Sequence, residues 1–161
     1  MQPLEIVSGG QTGVDRAALD LAIERAIPYS GWCPRGGWAE DMPEPPGLLA
    51  CYPMLRETPL ADPAQRTEWN VRDCDALLIL IDAQGADVSQ GTALAIRLAQ
   101  CYERPYLLAS LAEGGATDRV VAWLERERSR RIAIGGPRES EAPGIYEASK
   151  QFLAQVFARL T

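Results

Sequence analysis

Six apolar residues in succession, Ala76-Leu77-Leu78-Ile79-Leu80-Ile81, leave this chain few folds to choose from. A strand with one wet face alternates apolar and polar side chains. An unbroken apolar strand is covered on both faces, as in a parallel sheet between helical layers. The rest of the chain repeats a matching rhythm of short strand, turn and helix. Leu4 to Ser8 reads as a strand that runs into a Gly-rich turn, with a helix from about Val14 to Ala26. Asp62-Pro63 starts a helix to about Asp73, with Asp as N-cap, Pro at the first helical position and Gln65 at capping-box spacing. Ser89 caps a helix to about Glu103. Tyr106 to Ala109 is a strand, Thr117 or Asp118 starts a helix through Val120, Val121 and Leu124, and Arg131 to Ile134 is the last strand. Phe152, Leu153, Val156, Phe157 and Leu160 fall at helical spacing in a final helix over about Ile145 to Leu160. Alternation of this kind means parallel pairing with crossovers, and the expected fold class is α/β: a Rossmann-like three-layer α/β/α sandwich with a mostly parallel central sheet.

One segment breaks the rhythm. Pro28 to Pro63 holds eight of the 12 prolines, with Trp32 and Trp38 among glycines. It reads as an irregular excursion with short strands at Tyr29-Ser30-Gly31 and near Cys51 to Leu55. A loop of this length inside a compact domain is usually functional or an interface. At 161 residues the chain fits one domain, 1–161, and 47% hydrophobic against 24% charged residues gives it a real core.

Several function classes are excluded or disfavoured. No apolar run approaches a bilayer span. Met1-Gln2-Pro3-Leu4-Glu5 lacks the features of a signal peptide, so a cytoplasmic location is expected. A net charge of −6 argues against sequence-independent nucleic-acid binding, though not against a small anion held by backbone N–H groups and a few Arg side chains. The absence of His removes Ser-His-Asp and Cys-His catalysis and imidazole metal sites. Cys33, Cys51, Cys74 and Cys101 fit no zinc template and read as reduced thiols, mostly buried fillers.

Open α/β sheets bind ligands beyond the carboxyl ends of their strands, and three turns leave strands in that direction. The first is Ser8-Gly9-Gly10-Gln11-Thr12-Gly13-Val14-Asp15-Arg16. Glycines let the backbone pass close to a ligand, and free N–H groups at a helix start favour an anion. The spacing is not G-x-G-x-x-G, and the lack of Gly-Lys-Ser/Thr excludes a Walker P-loop. Together these features read as an anion site on the N–H groups of Gly10 to Gly13, with Thr12 donating and Arg16 pairing. The alternative is a tight turn in which Asp15 serves the helix dipole. The second turn, Asp87-Val88-Ser89-Gln90-Gly91-Thr92, offers another helix start with the Ser89 and Thr92 hydroxyls and the Gly91 backbone, although Ser as an N-cap needs no ligand. The third, Gly135-Gly136-Pro137-Arg138-Glu139-Ser140, places Arg138 and Ser140 where they could clamp an anion, or form an ordinary loop salted to a carboxylate. A fourth element is the helix with Arg66 and Asn70, four apart and on one face. Trp69 there reads as packing. Asp15, Asp41 and Asp82 could serve a divalent ion or a ribose, but read more simply as surface charge.

The string Ser8 to Arg16, SGGQTGVDR, together with Gly31-Trp32-Cys33-Pro34, Glu40-Asp41, Tyr52-Pro53, Arg66-Thr67-Glu68-Trp69-Asn70-Val71, Gly91-Thr92, Gly136 to Ser140 and Pro143-Gly144-Ile145-Tyr146, resembles the molybdenum carrier family. The likeness covers nearly the whole chain. That family lies within the SLOG group of Rossmann-like nucleotide-binding domains, beside the lysine-decarboxylase-like phosphoribohydrolases. The resemblance implies a protein that binds and protects molybdenum cofactor, an anionic pterin phosphate carrying its metal on a dithiolene. It also implies a homo-oligomer, a tetramer. Another nucleotide-like phosphate is the alternative ligand, and a nucleotide-acting enzyme the alternative function. The phosphoribohydrolases carry P-G-G-x-G-T-x-x-E with a catalytic final Glu. Here Ser89-Gln90-Gly91-Thr92 keeps a reduced cradle, and Ala95 stands at the position of the acid. The resemblance therefore implies carriage rather than catalysis.

Overall fold

The computed structural model describes residues 4–160 apart from 86 and 88. Six strands form one sheet: β1 (Glu5–Val7), β2 (Tyr29–Cys33), β3 (Leu55–Glu57), β4 (Ala76–Ile81), β5 (Tyr106–Ser110) and β6 (Arg131–Gly135). Every pairing is parallel, in the order β3-β2-β1-β6-β4-β5. The helices are α1 (Val14–Glu24), α2 (Leu48–Cys51), α3 (Pro63–Asp73), α4 (Gln90–Cys101), α5 (Ala116–Glu127) and α6 (Ile145–Leu160). This is the expected Rossmann-like α/β sandwich.

The apolar run Ala76–Ile81 explains the layering. All six residues of β4 are buried, and they divide by parity because successive side chains leave opposite faces of a strand. Leu78 and Leu80 join Ile6, Ile132 and Ile134 against α1, α5 and α6. Leu77, Ile79 and Ile81 join Val7, Val71, Ala99 and Ala133 against α3 and α4. The last strand, β6, is inserted between β1 and β4, so strand order reverses around the centre of the sheet. That reversal puts three carboxyl strand ends, each followed by a turn, side by side.

The Pro-rich excursion is more regular than expected. β2 and β3 complete one edge of the sheet, an Arg35–Gly37 turn of 3-10 helix follows β2, and α2 occupies the start of the stretch expected to be a strand. The second strand lies at Leu55–Glu57, not Cys51 to Leu55. Leu48-Leu49-Ala50-Cys51 carries no β-branched residue and turns helical, burying Leu48 beside Leu19, Cys33, Ala39, Tyr52 and Leu55 in a satellite core. All four cysteines are free, Cys33 and Cys74 buried and Cys51 and Cys101 exposed. Burial pushes the Cys33 and Cys74 thiols up to about 11, which makes them inert fillers. Among the described residues, no helix is long and apolar enough to cross a membrane.

Candidate functional site

The carboxyl ends of β1, β4 and β6 open onto a cleft of about 400 Å³, within the range of small-molecule pockets. The first two turns of α3 form one wall and the start of α4 the other. The floor is the sheet itself, through Val7, Leu77, Ile79 and Ala133.

The turn after β1 is stapled from within. The Ser8 hydroxyl donates to the Asp15 carbonyl at 2.9 Å and accepts the Gly10 N–H at 3.2 Å. Gln11 is buried. Its Oε1 accepts the N–H groups of Thr12 at 3.1 Å and Glu40 at 3.0 Å, and its Nε2 has no hydrogen-bond partner. Arg66 reaches across from α3 and lies over Gly9, where a Cβ would stand 2.2 Å from Nη1. Nη1 donates to Asp15 Oδ2 at 3.0 Å, while Nε is buried without a partner. Burial pushes the Asp15 carboxyl up, against the pull of the Arg66 guanidinium beside it.

The second turn is described from Ser89 onward, with Val88 outside the described residues. Ser89 caps α4 as expected, its Oγ accepting the Thr92 N–H at 3.1 Å. Thr92 is buried, and its hydroxyl has no partner among the described residues. The N-terminus of α4, a helix of 12 residues, thus faces the cleft with its positive dipole end. From the third turn, Arg138 lies 5.8 Å from the Trp38 ring centre, with Nη1 3.8 Å from Glu40 Oε2, and also lines the cleft.

Of the residues expected at the site, Ser8, Gly9, Gln11, Arg66, Asn70, Ser89, Gly91, Thr92 and Arg138 line this cleft. Gly10, Thr12, Gly13, Arg16 and Ser140 do not. The expected anion site on the N–H groups of Gly10 to Gly13 has two of those groups already taken within the protein. The Gly10 N–H is taken by Ser8 and the Thr12 N–H by Gln11. Gly13, at φ +80°, packs so tightly on the third turn that a Cβ would sit 2.3 Å from the Pro137 carbonyl. That carbonyl also accepts the Val14 N–H at 3.3 Å. A side chain at Gly10 would meet Leu48 and Leu55 rather than a ligand. Arg16 is committed too: Nε donates to the Gly10 carbonyl at 3.0 Å, and its two Nη atoms grip Asp41 at 2.9 and 2.8 Å. Ser140 donates its hydroxyl to Glu40 at 2.7 Å, and Thr12 donates to the same carboxylate. Asn70 stands in the cleft wall with its amide already engaged. It accepts the Trp32 N–H at 2.8 Å and donates to the Trp32 carbonyl at 2.9 Å. Trp69 packs edge-on against Trp32, centroids 4.7 Å apart.

Surface charge does not describe Asp15, which is buried in the cleft and paired with Arg66. One sequence signal pointed that way: an acid set among Val14, Ala17 and Ala18 in the first turn of a helix needs a cation if it is buried. Asp82 accepts the Gln84 N–H at 3.0 Å. Among the described residues no group of three Cys, Asp or Glu side chains is placed to hold a metal. Ala95, at the position of the phosphoribohydrolase acid, does line the cleft.

Gln11 Nε2, Arg66 Nε and Thr92 Oγ1 come from three different elements. All three are buried donors without partners, and all three belong to residues lining one cleft. An unsatisfied buried polar group costs about 1–3 kcal/mol, so an acceptor that reached these atoms from the cleft would be favoured.

Over residues 6–157 the chain matches the family described as the circularly permutated YpsA SLOG family. It is similar to a crystal structure of a protein from Syntrophus aciditrophicus that is named as a molybdenum carrier, with 37% identity and a TM-score of 0.86 over 96% of this chain and 94% of that one. Among curated proteins none matches it.

Proposed function

The chain belongs to the circularly permutated YpsA SLOG family, and from that premise we propose that it holds an anionic pterin-phosphate cofactor, molybdenum cofactor, in the cleft between α3 and α4, and carries it without converting it. The observation that supports this most is the trio of buried, unpartnered donors on Gln11, Arg66 and Thr92. A phosphate offers them several lone pairs at once, and the N-terminus of α4 adds a favourable dipole. The similar structure named as a molybdenum carrier supports a molybdenum-bearing ligand. The metal of such a ligand rides on its own dithiolene, so the protein's part is to grip the phosphate and cover the body. Ala95 offers no acid or base where the related hydrolases place theirs.

The test is to purify the chain from cells that make the cofactor and to identify the released small molecules by mass spectrometry. A pterin phosphate with molybdenum near one per site is expected. A chain carrying only nucleotides would overturn the assignment.

One observation favours a second function. Asp15 is a carboxyl in the same cleft, pushed up by burial, and a proton-holding group of that kind suits an enzyme acting on a nucleoside phosphate. Release of base or phosphate from nucleoside monophosphates, abolished by Asp15→Asn, is the outcome that would establish it. We further propose a cytoplasmic homo-oligomer, a tetramer, assembled on α4. Ala93, Ile96 and Leu98, outside the cleft lining, are only half-buried there, and Arg97 is its one charged residue. Sedimentation should then show an oligomer that Ile96→Glu dissociates.

A further inference from the structure

The lining of the cleft is of two kinds. Gln11, Arg66 and Thr92 carry its unpartnered donors, while Val7, Val71, Leu77, Ile79, Ala133 and Leu94 are aliphatic. Two polar side chains stand in the wall beside the aliphatic lining, and both are already occupied. Thr67 donates its hydroxyl to the Pro63 carbonyl at 3.1 Å, and Asn70 holds the Trp32 backbone with both ends of its amide. The remaining polar side chains of this half, Asp62, Gln90 and Arg97, are exposed at the mouth.

We propose that the cleft selects a phosphomonoester by its phosphate and by the size of a flat or apolar body, without reading the polar edge of that body. This rests on the anion-binding function proposed above. A site built to hydrogen-bond a ligand group rejects analogues lacking it by about 10⁴–10⁵-fold, because its own buried polar atoms are then left unpaired. No side chain in the apolar half is free to impose that penalty. The polar edge of a bound heterocycle must therefore point outward to the mouth, where water competes and contacts discriminate weakly. Loose selection of this kind suits a protein that has to give its ligand up.

The experiment is calorimetric titration of the full chain with 5′-AMP, 5′-GMP, 1-naphthyl phosphate, adenosine, 1-naphthol and inorganic phosphate. Naphthyl phosphate offers a fused ring pair with no polar ring atom. It is expected to bind at least as tightly as 5′-AMP, and 5′-AMP and 5′-GMP should agree within about threefold. Adenosine and naphthol should bind at least about tenfold more weakly than their phosphates. Leu94→Ala should weaken naphthyl phosphate by about threefold or more and leave inorganic phosphate unchanged. A preference between 5′-AMP and 5′-GMP above about 100-fold, or tight 5′-AMP with no naphthyl phosphate binding, would overturn the inference and leave the anion site standing. So would a Leu94→Ala chain that treats every ligand as the wild type does. If no phosphate-bearing compound binds, the anion site and this inference fall together.

Discussion

Glu40 sits above the start of α1 with its carboxylate held by the Thr12 and Ser140 hydroxyls, the Ser140 N–H at 3.3 Å and, more loosely, Arg138. It is the endogenous counterpart of the anion that the glycines of the first turn suggest. Burial alone would raise this carboxyl, but the donors around it outweigh burial and hold it below its ordinary 4.5. A carboxyl lowered by folding contributes stability that is present above the unfolded value and is lost as pH falls through the folded one. Glu40→Gln should therefore be less stable than the wild type near neutrality. The gap in thermal midpoint should close as pH drops below about 4, and a gap independent of pH would show that Glu40 acts by shape alone. Arg66 calls for a different substitution. Truncating it would strand Asp15 as an unpaired buried charge, so a binding loss could be a folding loss. Arg66→Lys keeps a cation for Asp15 and removes the planar fork and its unpartnered Nε. A charge-assisted contact contributes about 1.5–3 kcal/mol, so calorimetry should find phosphate binding at least about tenfold weaker, with the urea midpoint little changed.

α3 ties the site to the sheet edge, and Asn70 is its fastener. The amide closes two hydrogen bonds on the Trp32 backbone, as a neighbouring strand would, where β2 has only three-residue strands on either side. Asn70→Ala leaves a backbone donor and acceptor half-buried without partners, and should cost about 2 kcal/mol or more in urea unfolding. Asn70→Asp, which can still accept but cannot donate, should fall between. That fastening was invisible in the sequence, where an Asn four residues after an Arg looks like a second ligand contact. The helices α3, α4 and α6 and the strand β4 were legible because period and caps agreed with burial. Asp62 accepts the Ala64 N–H at 2.9 Å, and Gln65 reaches back as a capping box predicts, but to the Leu60 N–H at 2.8 Å. α2 was missed and β3 misplaced because elements of four and three residues have no period to read and are held by tertiary contact. The candidate site divides in the same way. Spacing showed which turns leave the sheet on one side. Which N–H groups remain free depends on where Ser8, Gln11 and Pro137 spend their oxygens, and spacing does not show whether a side chain folds back onto its neighbours or a distant turn packs alongside.

The cleft joins the centre of the sheet to the helices on one of its faces. Its floor spans β1, β6 and β4, the centre of the sheet, and its walls are the two helices that cover one face. A ligand seated there bridges α3, α4 and the turn after β1, so it binds the folded chain and not the unfolded one. Stability should then rise by RT ln(1 + [L]/Kd), about 2.7 kcal/mol at a hundred times Kd. For a chain of 150–250 residues each kcal/mol moves the thermal midpoint by about 2–4 °C, so a rise of roughly 5–10 °C is expected. Arg66→Lys at the same ligand concentration, with Kd raised about tenfold, should gain about 1.4 kcal/mol, half the shift. Arg16→Lys serves as the comparison. Arg16 is locked to Asp41 and the Gly10 carbonyl outside the cleft, so its midpoint without ligand should fall while its ligand-induced shift stays that of the wild type. Scanning calorimetry of the three proteins with 1-naphthyl phosphate separates the cases. An equal loss of shift in Arg16→Lys and Arg66→Lys would place the anion at the start of α1 after all, with Glu40 displaced. A loss confined to Arg66→Lys places it between α3 and α4, where the unpartnered donors are.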